Sequence, residues 1–316
     1  MTRRRFMRAI RHIGAALVLS ATCAMAHAGF SSLVVIGDSL SDNGNVSALT
    51  GGSIPPAPYV GGRFSNGPVA AEAMAGALGI GLQDFAFGGA KTGTDLAGND
   101  SYLWNLGLNN TGMGAQVGMF AASLGGASAD PGALYMVWGG PNDFFEPTMT
   151  PAMSAGHIGS IISSLYGLGA RSFFVPNMPD LGSTPEFLGT ALAPTMTGAT
   201  LAFNALLDAE ILGLGLVLPD ASFIRFDTFN YFAQVLSRPD DFGFVNVASA
   251  CISDLACVLN PAVQAQTLFW DGVHPTTAGH AALGLAFVRA IPEPSTALLL
   301  FGALAAVGVT GGRRRA

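Results

Sequence analysis

The chain has 316 residues, half of them hydrophobic and only 11% charged, with a formal net charge of −6. That length supports one large domain or two small ones, with a sizeable buried core. Eight of the 14 basic residues sit in the two ends, so the stretch from Gly29 to Ala290 carries six basic against 19 acidic residues, a formal charge of −13. Such a surface argues against nucleic acid or anionic lipid headgroups as electrostatically held partners.

The first 28 residues combine a basic segment (Arg3, Arg4, Arg5, Arg8 and Arg11), a short apolar run from Ile13 to Met25, and the small-residue site Ala26-His27-Ala28. This order reads as a secretory signal peptide over residues 1–28. The run from Thr2 to Arg8 also fits a twin-arginine signal, so both export routes stay open. Thr22 before Cys23 argues against a lipoprotein anchor. Cys23 leaves with the signal, and Cys251 and Cys257 remain in CISDLAC. An even pair in an exported chain reads as a disulfide. Closing so small a loop stabilises by about 2 kcal/mol in the chain-entropy model.

Next comes Ser32–Gly37, a short apolar run ending on glycine, which suits a strand buried on both faces. Gly81–Phe87, Ala133–Trp138, Arg171–Val175 and Ser222–Phe226 are further strand candidates. Helical patterns lie between them. Ile158, Ile161, Ile162, Leu165 and Leu168 follow the 3.6-residue period, with His157 expected as a solvated residue at the helix start. Ala191–Leu216 is a long helical stretch, open to a break near Pro194, and Thr276–Arg289 is the last helix before the tail. The alternation predicts a single α/β domain over residues 29–290, with a mainly parallel sheet covered on both faces. Ligands of such sheets bind at the carboxyl ends of the strands, and Ser39 stands at the end of the first.

A serine hydroxyl is a poor nucleophile until a base takes its proton, and histidine is the usual base. Residues 29–290 hold three histidines: His157, His274 and His280. His280 falls inside an Ala/Gly-rich helix and reads as surface or half-buried packing. His274 lies in FWDGVHPT, three residues after Asp271. In a turn, residues three apart share a side, so the carboxylate can hold one ring nitrogen and leave the other facing Ser39, the relation a triad needs. Acyl transfer also needs donors for a developing oxyanion. DFAFGGAKTG offers the backbone of Gly88 and Gly89, and VWGGPNDFF offers the side chain of Asn142. Each stretch alone is ordinary turn chemistry. The turn formers after Ser39, above all Asp42 and Asn45, are expected to hold a sharp exit from the strand by side-chain-to-backbone hydrogen bonds.

Taken together, Gly37–Asn45 (GDSLSDNGN), Phe85–Ala90, Gly140–Asp143 and Asp271–His274 resemble the four blocks of the GDSL, or SGNH, family of lipases and esterases, in order and over essentially the whole of residues 29–290. GRFSNGPV (62–69) and VPNMPDLGSTP (175–185) are similar to stretches of its plant and bacterial lipase branch. The resemblance implies a flavodoxin-like three-layer α/β/α fold with a five-stranded sheet and ester hydrolysis through an acyl-enzyme. It implies Ser39 as nucleophile, His274 as base and Asp271 as its orienter. The oxyanion hole would be built from the Ser39 N–H, the Gly89 N–H (with Gly88 as the alternative) and the Asn142 side chain. It implies no metal or organic cofactor. One departure is visible: Asp84 stands where the family often carries Asn, at a residue that shapes the turn.

The tail runs Pro292-Glu293-Pro294, then an uncharged stretch to Gly312, then Arg313, Arg314 and Arg315. As a helix the uncharged part reaches about 28 Å, barely a bilayer core, and the arginines would stay cytoplasmic. Residues 291–316 resemble the PEP-CTERM sorting signal of Gram-negative bacteria, which implies an exosortase and the export machinery as processing partners and delivery to the cell surface or an extracellular matrix. Candidate substrates are lipids, short-chain esters and acetylated polysaccharide, with Ala97–Gly126 as the expected lining of an acyl pocket. The competing class is a surface or matrix binding protein that keeps the fold without useful catalysis.

Overall fold

A computed structural model of the chain describes residues 29–93, 100–145 and 149–292. The expected signal peptide, most of the expected sorting segment and the stretch 97–99 of the expected acyl-pocket lining lie outside the described residues. The elements below belong to one compact unit, Phe30–Ala290.

Five strands form the central sheet: β1 (Ser32–Gly37), β2 (Gly81–Asp84), β3 (Leu134–Trp138), β4 (Ser172–Pro176) and β5 (Ser222–Phe226). All are parallel, in the order β2-β1-β3-β4-β5. Their five positions are those expected from the hydrophobic runs, but β2 stops at Asp84 rather than Phe87. There Asp84 Oδ1 accepts the Ala86 N–H at 2.9 Å and turns the chain out of the ladder.

The longer helices are α1 (Ala70–Leu78), α2 (Met113–Ser123), α3 (Pro151–Leu168), α4 (Ala193–Val217), α5 (Thr228–Ser237) and α6 (Thr277–Ala290). Alternate residues of the strands feed two cores, as the two-residue period requires. Val34, Ile36, Tyr135, Val137, Phe173 and Val175 join a buried cluster with Met113 and Phe120 of α2, Ile158 and Ile162 of α3, and Phe203 and Leu207 of α4. On the other face Phe287 of α6 meets Trp138, Phe174 and Phe226 with ring centroids 5.5, 5.0 and 4.9 Å away. Burying one such ring is worth about 1.5–3 kcal/mol. The result is three layers, α/β/α, as the sequence led us to expect.

Three sequence expectations need correction, and one feature was not foreseen. The helix carrying His157 begins earlier, at Pro151, where Thr150 Oγ1 accepts the Met153 N–H and proline occupies the first turn. His157 is therefore an interior helix residue, with Nδ1 3.2 Å from Thr92 Oγ1. Pro194 opens α4 rather than breaking it. His280 is fully buried, not half-exposed, because α6 packs against α1 and its imidazole Nδ1 accepts the Ala70 N–H at 3.3 Å. Burial pushes its pKa down to about 3, with the neighbouring His274 adding to the shift. Finally, a two-stranded parallel sheet, β6 (Asn246–Ala250) with β7 (Thr267–Phe269), stands beside the main one. Its strands are short, β6 half-exposed and β7 buried throughout, and neither had a periodic signal.

Candidate active site

Strand order along the sheet reverses between β1 and β3, the crevice where doubly wound sheets bind ligands. Ser39 sits two residues past the end of β1, beside that crevice. Two devices end the strand there. The buried Gln116 side chain of α2 accepts the Gly37 N–H at 2.9 Å and donates to the Gly37 carbonyl at 2.8 Å, so it continues the ladder where no strand does. The Asp38 carbonyl then accepts the N–H groups of Ser41 and Asp42, which closes the turn.

Asp42 is the hub of this turn. Its Oδ1 accepts the N–H groups of Gly44 and Asn45 at 2.8 and 2.6 Å, and its Oδ2 accepts those of Val46 and Gly88 at 3.3 and 2.8 Å. Asn45 Nδ2 donates to the carbonyls of Asp84 and Ala86 at 3.0 and 2.9 Å. The turn formers therefore hold their own turn and also bind the end of β1 to the glycine loop after β2. The Gly88 N–H is spent on Asp42, whereas Gly89 follows it in the left-handed region, with φ of 80°. A Cβ at Gly88 would collide with the Phe64 ring. The third block is tied in as well: Asn142 Nδ2 donates to the Ala90 carbonyl at 3.0 Å, and the Asp143 carboxylate accepts the N–H and hydroxyl of Thr92 at 3.0 and 2.6 Å.

His274 Nε2 lies 2.7 Å from Ser39 Oγ, and His274 Nδ1 lies 2.7 Å from Asp271 Oδ2. An ionised carboxylate only accepts, so Nδ1 carries the hydrogen and Nε2 is left to accept from the serine hydroxyl. Asp271 Oδ1 takes the N–H groups of Val273 and His274 at 2.9 and 2.7 Å, and Tyr59 donates its hydroxyl to Oδ2 at 2.6 Å. Burial would raise the Asp271 pKa, but the His274 imidazole and these donors more than offset it and hold the carboxyl well below the usual range. Desolvation would lower the His274 pKa, and the carboxylates of Asp271 and Asp38 reverse the sign and raise it. The arrangement can draw the serine proton onto the imidazole and hold the resulting cation against a carboxylate.

Asp38, Ser39, Asn142 and His274 line one open cavity, together with Pro141, Phe145 and Leu181 among others. Asp38 is itself buried, and burial pushes its carboxyl up to about 7, against the pull of the Leu40 N–H and His274. Its Oδ2 has no hydrogen-bond partner. Among the described residues no group of three or more His, Cys, Asp or Glu side chains is arranged to hold a metal ion. Cys251 and Cys257 are joined in a disulfide, which packs with Trp270 and Tyr59 behind the Asp271 loop.

Reading the sequence missed Tyr59, Gln116 and Phe64. Phe64 lies with its ring 5.5 Å from that of His274. For Phe64 a signal existed in GRFSNGPV: the next two residues brace the same loop, Ser65 Oγ donating to the Pro275 carbonyl at 2.9 Å and Asn66 Oδ1 accepting the Thr277 N–H at 2.7 Å. Tyr59 and Gln116 carry none, since a lone tyrosine in a Pro/Gly loop and a glutamine on a helix are unremarkable types in those places. The expected acyl-pocket lining, Ala97–Gly126, contributes no described residue to the cavity that holds Ser39 and His274.

A parallel α/β sheet carrying a Ser-His-Asp relay at its switch point defines a hydrolase of the three-layer α/β/α class. The chain belongs to the GDSL-like Lipase/Acylhydrolase family, which it matches over residues 33–287. Residues 290–315 match the PEP-CTERM protein-sorting motif, the mark of an exported protein with a C-terminal sorting signal. The chain is 29% identical over 272 residues to the thermolabile hemolysin of Vibrio parahaemolyticus, a match covering 78% of this chain and 60% of the hemolysin. It is 28% identical to the phosphatidylcholine-sterol acyltransferase of Aeromonas hydrophila, covering 84% of this chain and 92% of that protein. It is 27% identical to esterase EstA of Pseudomonas aeruginosa, covering 79% of this chain but only 45% of the esterase. Among solved structures, an acetylxylan esterase from Geobacillus stearothermophilus aligns at 16% identity with a TM-score of 0.46, over 85% of this chain and 97% of that one.

Proposed function

We propose that the chain is an exported serine ester hydrolase that cleaves carboxylic esters through an acyl-enzyme on Ser39. Ser39 Oγ attacks the ester carbonyl carbon as its proton passes to His274 Nε2. The Ser39 N–H, the Gly89 N–H and the second Asn142 amide hydrogen take the negative charge that develops on the carbonyl oxygen. Collapse expels the alcohol, which receives the proton from His274. A water then repeats the sequence on the acyl group, releasing the acid and restoring the serine. Asp271 keeps the imidazole in the tautomer that faces Ser39. Gly89 is favoured over Gly88 because the Gly88 N–H is already bound to Asp42.

The observation that carries this reading is the continuous relay from Ser39 Oγ through His274 to Asp271, with both links at 2.7 Å. Residues 1–28 would act as the export signal and residues 291–316 as the segment that an exosortase processes at the cell surface, around a hydrolase domain of residues 29–290. The test is hydrolysis of p-nitrophenyl acetate, with fluorophosphonate labelling beside it. Activity and label should both vanish in Ser39→Ala. A folded wild-type protein that neither hydrolyses nor labels would instead be a binding protein on the same fold.

A further inference from the structure

Helix α5 presents Phe229, Phe232, Ala233 and Leu236 on one side, at the i, i+3, i+4, i+7 spacing of an apolar stripe. A stripe of that kind is ordinarily buried against the core. Here Phe232 is buried against Phe269, while the stripe also forms one wall of an open groove whose floor includes Trp138 and Phe269. The groove runs into the cavity that holds Ser39 and His274: Leu40, Pro179, Thr184 and Val273 line both.

The few polar groups in this groove are already committed. The Asp180 carboxylate accepts the Gly182 N–H and the hydroxyls of Ser183 and Thr197, at 3.0, 2.5 and 2.7 Å. The Thr184 hydroxyl donates to the Leu181 carbonyl at 2.7 Å, and the Trp138 indole donates to the Asn177 carbonyl at 3.2 Å. A sugar ring laid here would find few uncommitted partners for its hydroxyls along the apolar wall. A hydrocarbon chain would lose nothing and gain about 0.8 kcal/mol per buried methylene.

We infer that the α5 groove is the subsite for an unbranched alkyl chain of the ester, so that the preferred substrates carry chains of medium length rather than acetyl groups on polysaccharide. This rests on the ester-hydrolase reading above. The chain could enter as the acyl part or as the alcohol part, and the two are separable by experiment.

The test measures kcat/KM of the purified chain on two series: p-nitrophenyl acetate, butyrate, hexanoate and octanoate, and methyl, butyl, hexyl and octyl acetate. One series should rise by up to about fourfold per methylene until the groove is filled, and which one rises identifies the part that enters. Ala233→Trp, which fills the groove from an exposed position, and Leu236→Ser, which makes its wall polar, should each flatten that series, read as the fall in the octyl-to-shortest ratio. Flat or falling profiles on both series, with acetate still hydrolysed in a Ser39-dependent way, would overturn the groove and leave the hydrolase standing. So would a rising series that neither variant flattens. Absence of Ser39-dependent hydrolysis of any ester would overturn the hydrolase reading and the groove with it.

Discussion

At the scale of single residues, the site is a contest over where protons rest. The raised His274 pKa means that the imidazole stays protonated above its ordinary 6.5, and a protonated imidazole cannot take the serine proton. The acid limb of kcat/KM should therefore have its midpoint above pH 6.5. Asp38→Asn, which removes one of the two carboxylates holding that proton, should move the midpoint down; an unmoved limb would take Asp38 out of the site's electrostatics. Stability runs the other way. His274 binds its proton more tightly folded than unfolded, so its contribution is full below 6.5 and is lost as pH rises through the folded value. Asp271, held low, contributes above 3.8 and loses that contribution as pH falls. Tyr59 offers a sharper probe. Its hydroxyl is one of four donors on Asp271, and a hydrogen bond to a charged group is worth about 1.5–3 kcal/mol. Tyr59→Phe should lower kcat about tenfold or more with KM little changed. Asn142→Ala should cost turnover about 10²–10³-fold with the fold intact, and unchanged turnover would remove Asn142 from the mechanism.

Among the elements, strand ends matter more than strands. β1 delivers Ser39 to the crevice only because the strand ends cleanly at Gly37, whose N–H and carbonyl are taken over by Gln116 from α2. Replacing Gln116 with alanine would leave a buried N–H and carbonyl unpaired, each costing about 1–3 kcal/mol. Thermal unfolding of Gln116→Ala should show a clear loss of stability, and turnover measured well below the transition should fall as Ser39 loses its fixed position. The glycine loop after β2 makes a steric version of the same point. At Gly88 a Cβ has no room beside Phe64, whose ring packs on His274 and Tyr59. Gly88→Ala should thus destabilise by about 1–3 kcal/mol. Restored stability in Gly88→Ala/Phe64→Leu would tie the cost to that contact.

Over the whole molecule, the site is assembled from both ends of the domain: Ser39 from the first strand and His274 from the loop before the last helix, 235 residues apart. The Cys251–Cys257 disulfide stands behind that second contribution, with Ile252 donating its N–H to the Trp270 carbonyl at 2.9 Å. Reduction should lower stability by about 2 kcal/mol, read as a shift in the denaturant midpoint between oxidised and reduced protein. Because the bridged loop packs against Trp270 and Tyr59, turnover should fall with it.

What could be read from the sequence was local or chemically rare. The five central strands announced themselves as short apolar runs because both faces of a parallel sheet are buried. Ser39, Asp271 and His274 were legible because few residues outside the two ends combine those types with turn formers. Tertiary structure alone decided what depends on approach between distant segments. It spent the Gly88 N–H on Asp42, brought the Tyr59 hydroxyl to Asp271 across 212 residues, buried His280 between two helices, and turned the stripe of α5 toward an open groove beside Ser39. Periodicity says which side of a helix is apolar. It does not say whether that side meets the core or an opening beside the serine, because that depends on what the rest of the chain places opposite it.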